Sequence, residues 1–318
     1  MTAICADIGG TYARFAVADG NDLINPRKLA VGNFANLGEA LQFYCRESGV
    51  KNQGRLLIAT AAVRYDGGVW RFTNNNRWVI DERAPAPGWD ISLIANDFRA
   101  SAYGAVSLSG DKLKILRKGT SASDPRVLLG PGTGLGLAYM IPLKDKSWYI
   151  QETFGGHMLA ATLTDEQHDI LKLVKRLRGG DHIAIPENVA SGSGLPVLYK
   201  AVCLQGGKTS EINSVDDLLK RKEDPFTLQT LRLFHEFLGL FAHNVVVTTH
   251  AFGGLYLDGG LIHRINDAGL FDFQTFSRFM TLNPVPVVKD RLESLPVFLV
   301  NDPYVALHGL LEMAKDAA

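Results

Sequence analysis

Twice in this chain an apolar run stops at a glycine-rich turn and a second apolar run follows at once. The first turn lies in Asp7-Ile8-Gly9-Gly10-Thr11-Tyr12-Ala13-Arg14, between Ala3–Ile8 and residues 15–18. The second is Gly130-Pro131-Gly132-Thr133-Gly134-Leu135-Gly136, between residues 127–129 and 137–141. Short apolar runs bounded by glycine read as strands, and two joined by a tight turn read as a hairpin. Each hairpin opens a further series of strands and helices. The repeat predicts a duplicated α/β core rather than one nucleotide domain with an appendage.

The rest of the chain fits that reading. A third strand is expected near residues 27–31, a helix after the N-cap candidate Asn36, and a buried strand over 56–60. Short strands are expected at 69–72 and 78–80, around an Asn-rich turn, and another at 91–95. Asn96-Asp97 ends that strand, and residues 97–107 read as helix. In the second half, helices are expected over 164–178, 193–204, 226–250, 262–281 and 302–315, with strands at 255–257 and 297–300. A length of 318 residues, 46% of them hydrophobic, supports two domains with sizeable cores. The expected domains are 1–106 plus 298–318, a small α/β domain, and 107–297, a large one.

Charge and cysteine usage narrow the function. Lys plus Arg number 33 and Asp plus Glu number 33, so no basic surplus invites nucleic acid or an anionic membrane. The three cysteines, Cys5, Cys45 and Cys203, form no CxxC pair, which fits a reducing cytoplasm better than a disulfide framework or a zinc site. No secretory signal pattern opens the sequence. Residues 237–257 carry no Asp, Glu, Lys or Arg, but His243, Asn244, His250 and Gly253-Gly254 make them a buried helix running into a strand rather than a membrane span. Gly206-Gly207-Lys208-Thr209 lacks the glycine a phosphate loop needs at Val202, and His235-Glu236 lacks the second histidine of a zinc-protease helix at Gly239. Ser191 and Ser193 are not flanked as a nucleophile elbow requires.

The hairpins carry the chemistry. A glycine turn can aim several backbone N–H groups at one anion, and glycine permits positive φ and close approach. Gly9, Gly10 and Thr11 in one turn, and Gly132, Thr133 and Gly134 in the other, are therefore candidate phosphate contacts. Asp7 is the candidate magnesium ligand, acting through water because magnesium keeps much of its hydration shell. Gly259 and Gly260, at a strand-to-helix junction, are a place to pass a flat base or an α-phosphate. Asp97, at a strand end, is a candidate general base; its alternative reading is that of a helix N-cap alone, a common role for Asp.

The motifs DIGGTYAR, AND at 95–97, GPGTGLGLA at 130–138, GGH at 155–157, ENVASG at 187–192 and GGLYLDGG resemble bacterial ATP-dependent glucokinases. They occur in that family's order over nearly the whole chain. The resemblance implies a two-domain ribonuclease H-like core of the actin and hexokinase type, with an interdomain cleft and a last helix returning to the first domain. It implies ATP as phosphoryl donor, magnesium, glucose as acceptor and a homodimer. Asp97 would take the proton from the sugar 6-hydroxyl, and Asn74, Asn96, His157 and Glu187 match positions that contact the sugar.

Two residues depart from the family pattern. Phe154 stands where a sugar-binding Glu is usual; it cannot accept hydrogen bonds but could stack on a sugar face. Glu152 would share a strand face with it, offset along the strand. Tyr12 stands where Asn is common. These departures leave open a kinase for another sugar or a non-catalytic sugar sensor. The intact hairpins and Asp97 favour an enzyme.

Overall fold

The computed structural model describes residues 2–72, 77–120, 123–180 and 183–316. The chain divides into two compact units: Met1–Lys112 with Asn301–Ala318, and Leu113–Val300. The first unit contains β1 (Ala3–Ile8), β2 (Tyr12–Asp19), β3 (Asp22–Ala30), α1 (Leu37–Ser48), β4 (Gly54–Thr60), β5 (Val63–Tyr65), β6 (Val69–Arg71), β7 (Val79–Asp81), β8 (Trp89–Asn96) and α2 (Asp97–Ser107). The second contains β9 (Leu113–Arg117), β10 (Arg126–Pro131), β11 (Leu135–Pro142), β12 (Trp148–Thr153), α3 (Asp165–Leu177), α4 (Leu195–Gln205) and α5 (Val215–Leu219). It continues with α6 (Pro225–Thr249), β13 (Gly254–Leu257), α7 (Gly260–Asp267), α8 (Phe273–Thr281), α9 (Pro286–Glu293) and β14 (Val297–Val300). The last helix, α10 (Val305–Asp316), belongs to the first unit.

Both units repeat one topology. The first sheet has the order β3-β2-β1-β4-β8, and the second β12-β11-β10-β13-β14, with β9 added at the edge. In each, an antiparallel meander of three strands is followed by two parallel ones. This is the duplicated α/β core that the two hairpins predicted, in the ribonuclease H-like topology that the family resemblance implied. The registers align the strand ends. Ile8, Thr60 and Asn96 are neighbours across β1, β4 and β8, and Leu129, Leu257 and Leu299 across β10, β13 and β14. Each hairpin turn thus sits at the carboxyl edge of its sheet, where α/β folds place ligands.

Strand alternation buries both faces of the first sheet. Ile4, Ile8, Phe15 and Ile58 pack with Leu41 and Tyr44 of α1. Cys5, Leu57 and Ala59, on the opposite face, pack with Leu307, Leu310 and Leu311 of α10. α10 also lies against α2 at very short range. A Cβ built on Gly104 of α2 would overlap the Val305 carbonyl oxygen, and one on Gly309 of α10 would overlap that of Ala100. These two glycines give up helix propensity for backbone contact. Where the chain enters and leaves this unit, the Asn301 N–H donates to the Lys112 carbonyl at 2.8 Å. Asp302 there lies 3.2 Å from both Lys112 Nζ and His308 Nε2.

In the second unit the core centres on α6. Asp224 caps it by accepting the Thr227 N–H at 3.0 Å, with Pro225 at its first position, and the helix ends at His250, whose φ is 55°. Phe234, Phe237, Leu238 and Phe241 are buried along it. The long uncharged stretch is therefore a core helix entering β13. Among the described residues, no helix is long and apolar enough to cross a membrane. The helix expected over 262–281 is two, α7 and α8, because Gly269 between them adopts a φ of 71°. β3 is longer than expected, and β9 and β12 have no counterpart in the sequence reading.

Candidate active-site residues

In the first unit, β1 and β2 place Asp7 directly opposite Arg14, and the guanidinium donates to Asp7 Oδ2 at 2.8 Å. The turn closes by the Gly9 N–H donating to the Tyr12 carbonyl at 3.0 Å. The N–H groups of Gly10 and Thr11 meet no acceptor among the described residues and remain available to an anion. Contrary to expectation, Gly9 and Gly10 do not have positive φ. At Gly9 the reason for glycine is space, since a Cβ would come 3.3 Å from the Tyr12 oxygen. Tyr12 is 43% exposed, and Lys28 Nζ lies 4.0 Å from its ring centroid. Partial burial, then the nearby Arg14 charge, lowers the Lys28 pKa.

The other strand ends of this sheet carry Thr60 and Asn96-Asp97. Thr60 is fully buried; its hydroxyl donates to the Ile8 carbonyl at 3.3 Å and accepts the Ala62 N–H at 3.1 Å. It ties β4 to the hairpin and escaped the sequence reading, although a lone threonine closing an apolar strand was a readable signal. Asn96, not Asp97, is the cap of α2: its Oδ1 accepts the Phe98 and Arg99 N–H groups at 2.9 and 3.1 Å. Asp97 is the first helical residue, half-buried, with Oδ1 2.8 Å from the Phe98 nitrogen. Asn74 lies outside the described residues.

In the second unit the hairpin turn is held by the Gly132 N–H donating to the Gly134 carbonyl at 2.9 Å. The Thr133 and Gly134 N–H groups find no acceptor among the described residues. Here too glycine answers a demand for space rather than for positive φ. A Cβ on Gly134 would stand 2.7 Å from Glu187 Oε2, and that same oxygen accepts the Leu135 N–H at 2.9 Å. Glu187 lies in a short 3-10 turn, Pro186–Asn188, well before α4. The segment after it lines the hairpin, with the Gly192 and Ser193 N–H groups donating to the Gly132 and Thr133 carbonyls at 2.7 and 3.1 Å. Buried Ser191 braces this segment by donating to the Glu187 carbonyl at 2.7 Å.

His157 Nε2 stands 3.6 Å from Glu187 Oε1. Its side chain is 57% exposed, so it is not a core histidine. Gly155 and Gly156 allow its 3-10 turn to dock on β11: added Cβ atoms would overlap the Leu137 side chain and the Leu135 carbonyl oxygen. Phe154, just before them, is 88% exposed, its ring centroid 6.2 Å from that of His157. β12 ends at Thr153, so strand alternation does not carry Glu152 and Phe154 to one face as expected. At the third glycine cluster, Gly259 has a φ of 113° and lies against Pro131, whose oxygen is 2.7 Å from a built Cβ. Gly260 opens α7 with free space where a side chain would be. His263 Nε2 lies 3.0 Å from Asp258 Oδ1 beside them.

Glycine-threonine hairpins with unspent N–H groups at both sheet edges, and Asp97 at a helix start beside one of them, on a duplicated ribonuclease H-like core, define a phosphotransferase of the sugar-kinase class. The family model described as Glucokinase matches residues 4–317. A glucokinase of Paramagnetospirillum magneticum is 32% identical over 325 residues, covering 98% of this chain and 97% of that one. A glucokinase of Marinobacter nauticus is 30% identical over 321 residues, covering 98% and 96%. The chain belongs to the glucokinase family. It also matches a bifunctional protein of Burkholderia pseudomallei, at 31% identity, over 96% of this chain but 47% of that protein's length. The fold is that of a solved glucokinase from an Antarctic psychrotroph, with a TM-score of 0.79 at 24% identity over 99% of both chains. A Streptomyces griseus glucokinase solved with glucose and AMPPNP aligns at a TM-score of 0.59 and 17% identity, over 99% of this chain and 100% of that one.

Proposed function

We propose that this chain transfers the γ-phosphoryl group of ATP to the 6-hydroxyl of glucose, with Asp97 as general base. The observation that carries the reading is the division of work at the start of α2. Asn96 caps the helix through two N–H groups, so Asp97 is not needed there as the cap. The positive end of the helix dipole favours its ionised form, the form a base requires. As the sugar oxygen bonds to the γ-phosphorus, Asp97 takes the hydroxyl proton, and the bond from phosphorus to the bridging oxygen breaks to release ADP.

The unspent N–H groups of Gly10, Thr11, Thr133 and Gly134, with the two threonine hydroxyls, are suited to phosphate oxygens. Gly9 and Gly132 shape the turns, and Gly259 and Gly260 are the proposed passage for the nucleotide. Asn74, Asn96, His157 and Glu187 are the proposed sugar contacts, and Phe154 is proposed to cover a sugar face.

Magnesium fits as a water-held ion. Asp7 presents one carboxylate, already bonded to Arg14, and no group of three or more His, Cys, Asp or Glu side chains able to hold a metal occurs among the described residues. Asp7 would hold the magnesium through water, and the ion would supply neutralisation of phosphate charge. The same reading carries a homodimer working in the cytoplasm; light scattering tests the former.

A coupled ADP assay over a panel of hexoses tests the function, with glucose expected to be the best acceptor. Absence of turnover with every hexose, together with an unaffected Asp97→Asn variant, overturns it.

A further inference from the structure

The first sheet carries a row of charges that the hairpin alone does not explain. Register places Asp7, Arg14 and Lys28 side by side across β1, β2 and β3. Side chains paired in register project from one face, so all three share a face with Tyr12, two residues before Arg14. The row holds two cations and one carboxylate. Arg14 satisfies Asp7 with Nη1, while its buried Nε has no hydrogen-bond partner among the described residues. No carboxylate lies within ion-pair distance of Lys28 among the described residues; its ammonium rests instead on the Tyr12 ring. Tyr12 directly follows the turn whose Gly10 and Thr11 N–H groups are unspent. A surplus cation beside unspent donors is the electrostatic requirement of an anion site.

We propose that Lys28, held in place by the Tyr12 ring, is a binding residue for the phosphate chain of the phosphoryl donor at the first hairpin. Tyr12 positions it by a cation–π contact and does not touch the anion. The bulky residue at position 12 is then part of a paired device: the ring fixes a cation from the neighbouring strand. Arg14 contributes to the same field while orienting Asp7. The inference rests on the proposed use of a phosphorylated donor, but not on the identity of the sugar.

The test is calorimetric titration with inorganic tripolyphosphate, without sugar or magnesium, on the full chain and on Lys28→Met, Lys28→Arg and Tyr12→Asn. Lys51→Met, on an exposed lysine outside the row, is the control. Lys28→Met is expected to weaken tripolyphosphate about tenfold, the order of one charged hydrogen bond at a solvated site. It should raise the KM for ATP by a similar factor and leave the KM for sugar unchanged. Lys28→Arg should restore most of the affinity, and Tyr12→Asn should lose part of it. Equal tripolyphosphate affinity in the parent chain and Lys28→Met overturns the inference, as does no binding by the parent chain. A parent chain that phosphorylates no sugar but binds tripolyphosphate through Lys28 overturns the kinase reading and keeps this one.

Discussion

Glu187 is a hydrogen-bond partner of the Leu135 N–H, at 2.9 Å, although 52 residues separate them. The contact exists because Gly134 offers no Cβ to block it. The carboxylate thus braces the second hairpin with one oxygen and faces His157 with the other. The two duties separate by mutation. Glu187→Gln keeps an acceptor for Leu135 and should unfold in urea much as the parent does. Glu187→Ala strands a buried N–H and should lose about 1–3 kcal/mol. Both variants should raise the KM for glucose at least tenfold. Equal stability of the two would show that the brace contributes nothing.

Asp97→Asn should lower kcat by about 10²–10⁴ while changing the KM for ATP little. Because Asn96 carries the cap of α2, the melting temperature should move by only a degree or two. A large thermal shift with modest loss of kcat would return Asp97 to a structural role.

Gly104→Ala and Gly309→Ala test the helix contact by sign. At an exposed helical site glycine to alanine stabilises by about 1 kcal/mol. Here each new methyl would meet a backbone carbonyl of the facing helix. Each change should destabilise by about 1–3 kcal/mol or more, read from urea unfolding.

His235 makes the second unit sensitive to acid. Burial lowers its pKa from 6.5 to about 4, with Asp272 opposing that shift. The unfolded chain therefore binds a proton below about pH 6.5 that the folded chain refuses until about pH 4. The stability this group contributes is whole above pH 6.5 and falls away as pH drops towards 4, by about 3 kcal/mol. Urea unfolding at pH 7.0 and 4.5 should show the loss. His235→Gln should reduce it.

Asp302 behaves alike in direction but at lower pH. Burial pushes its carboxyl up, but hydrogen bonds from His308, the Tyr304 N–H and Lys112 outweigh that and hold it at about 2. Its contribution is present above the ordinary carboxylate range and disappears as pH falls through about 2. Asp302→Asn should therefore be less stable than the parent at pH 7, with the difference closing towards pH 2.

What could be read from the sequence was local. Each hairpin is a strand, a glycine turn and a strand within a dozen or so residues, so its pattern is complete in one window. The pairing of Asp7 with Arg14 was implicit in that register and could have been counted. α6 was legible because apolar residues run along it between a capping Asp and a left-handed end. β3 was read short because it is a largely exposed edge strand with little alternation. β12 was missed for a similar reason. The break between α7 and α8 turns on one backbone angle at Gly269, which composition does not reveal. The roles of Gly134, Gly104 and Gly309 depend on partners far along the chain. A glycine needed for room looks the same in sequence as one needed for positive φ.

The return of α10 to the first unit sets an order for biosynthesis. Residues Leu113–Val300 are contiguous and hold all the strands and helices of their own unit before the last helix leaves the ribosome. The first sheet, although made before that unit, has one face on which Leu307, Leu310 and Leu311 of α10 pack beside Ala100 of α2. Until those leucines emerge, the face carrying Cys5, Leu57 and Ala59 lacks its α10 cover and is in part open to water or to a chaperone. The sheet translated before the second unit is thus completed after it.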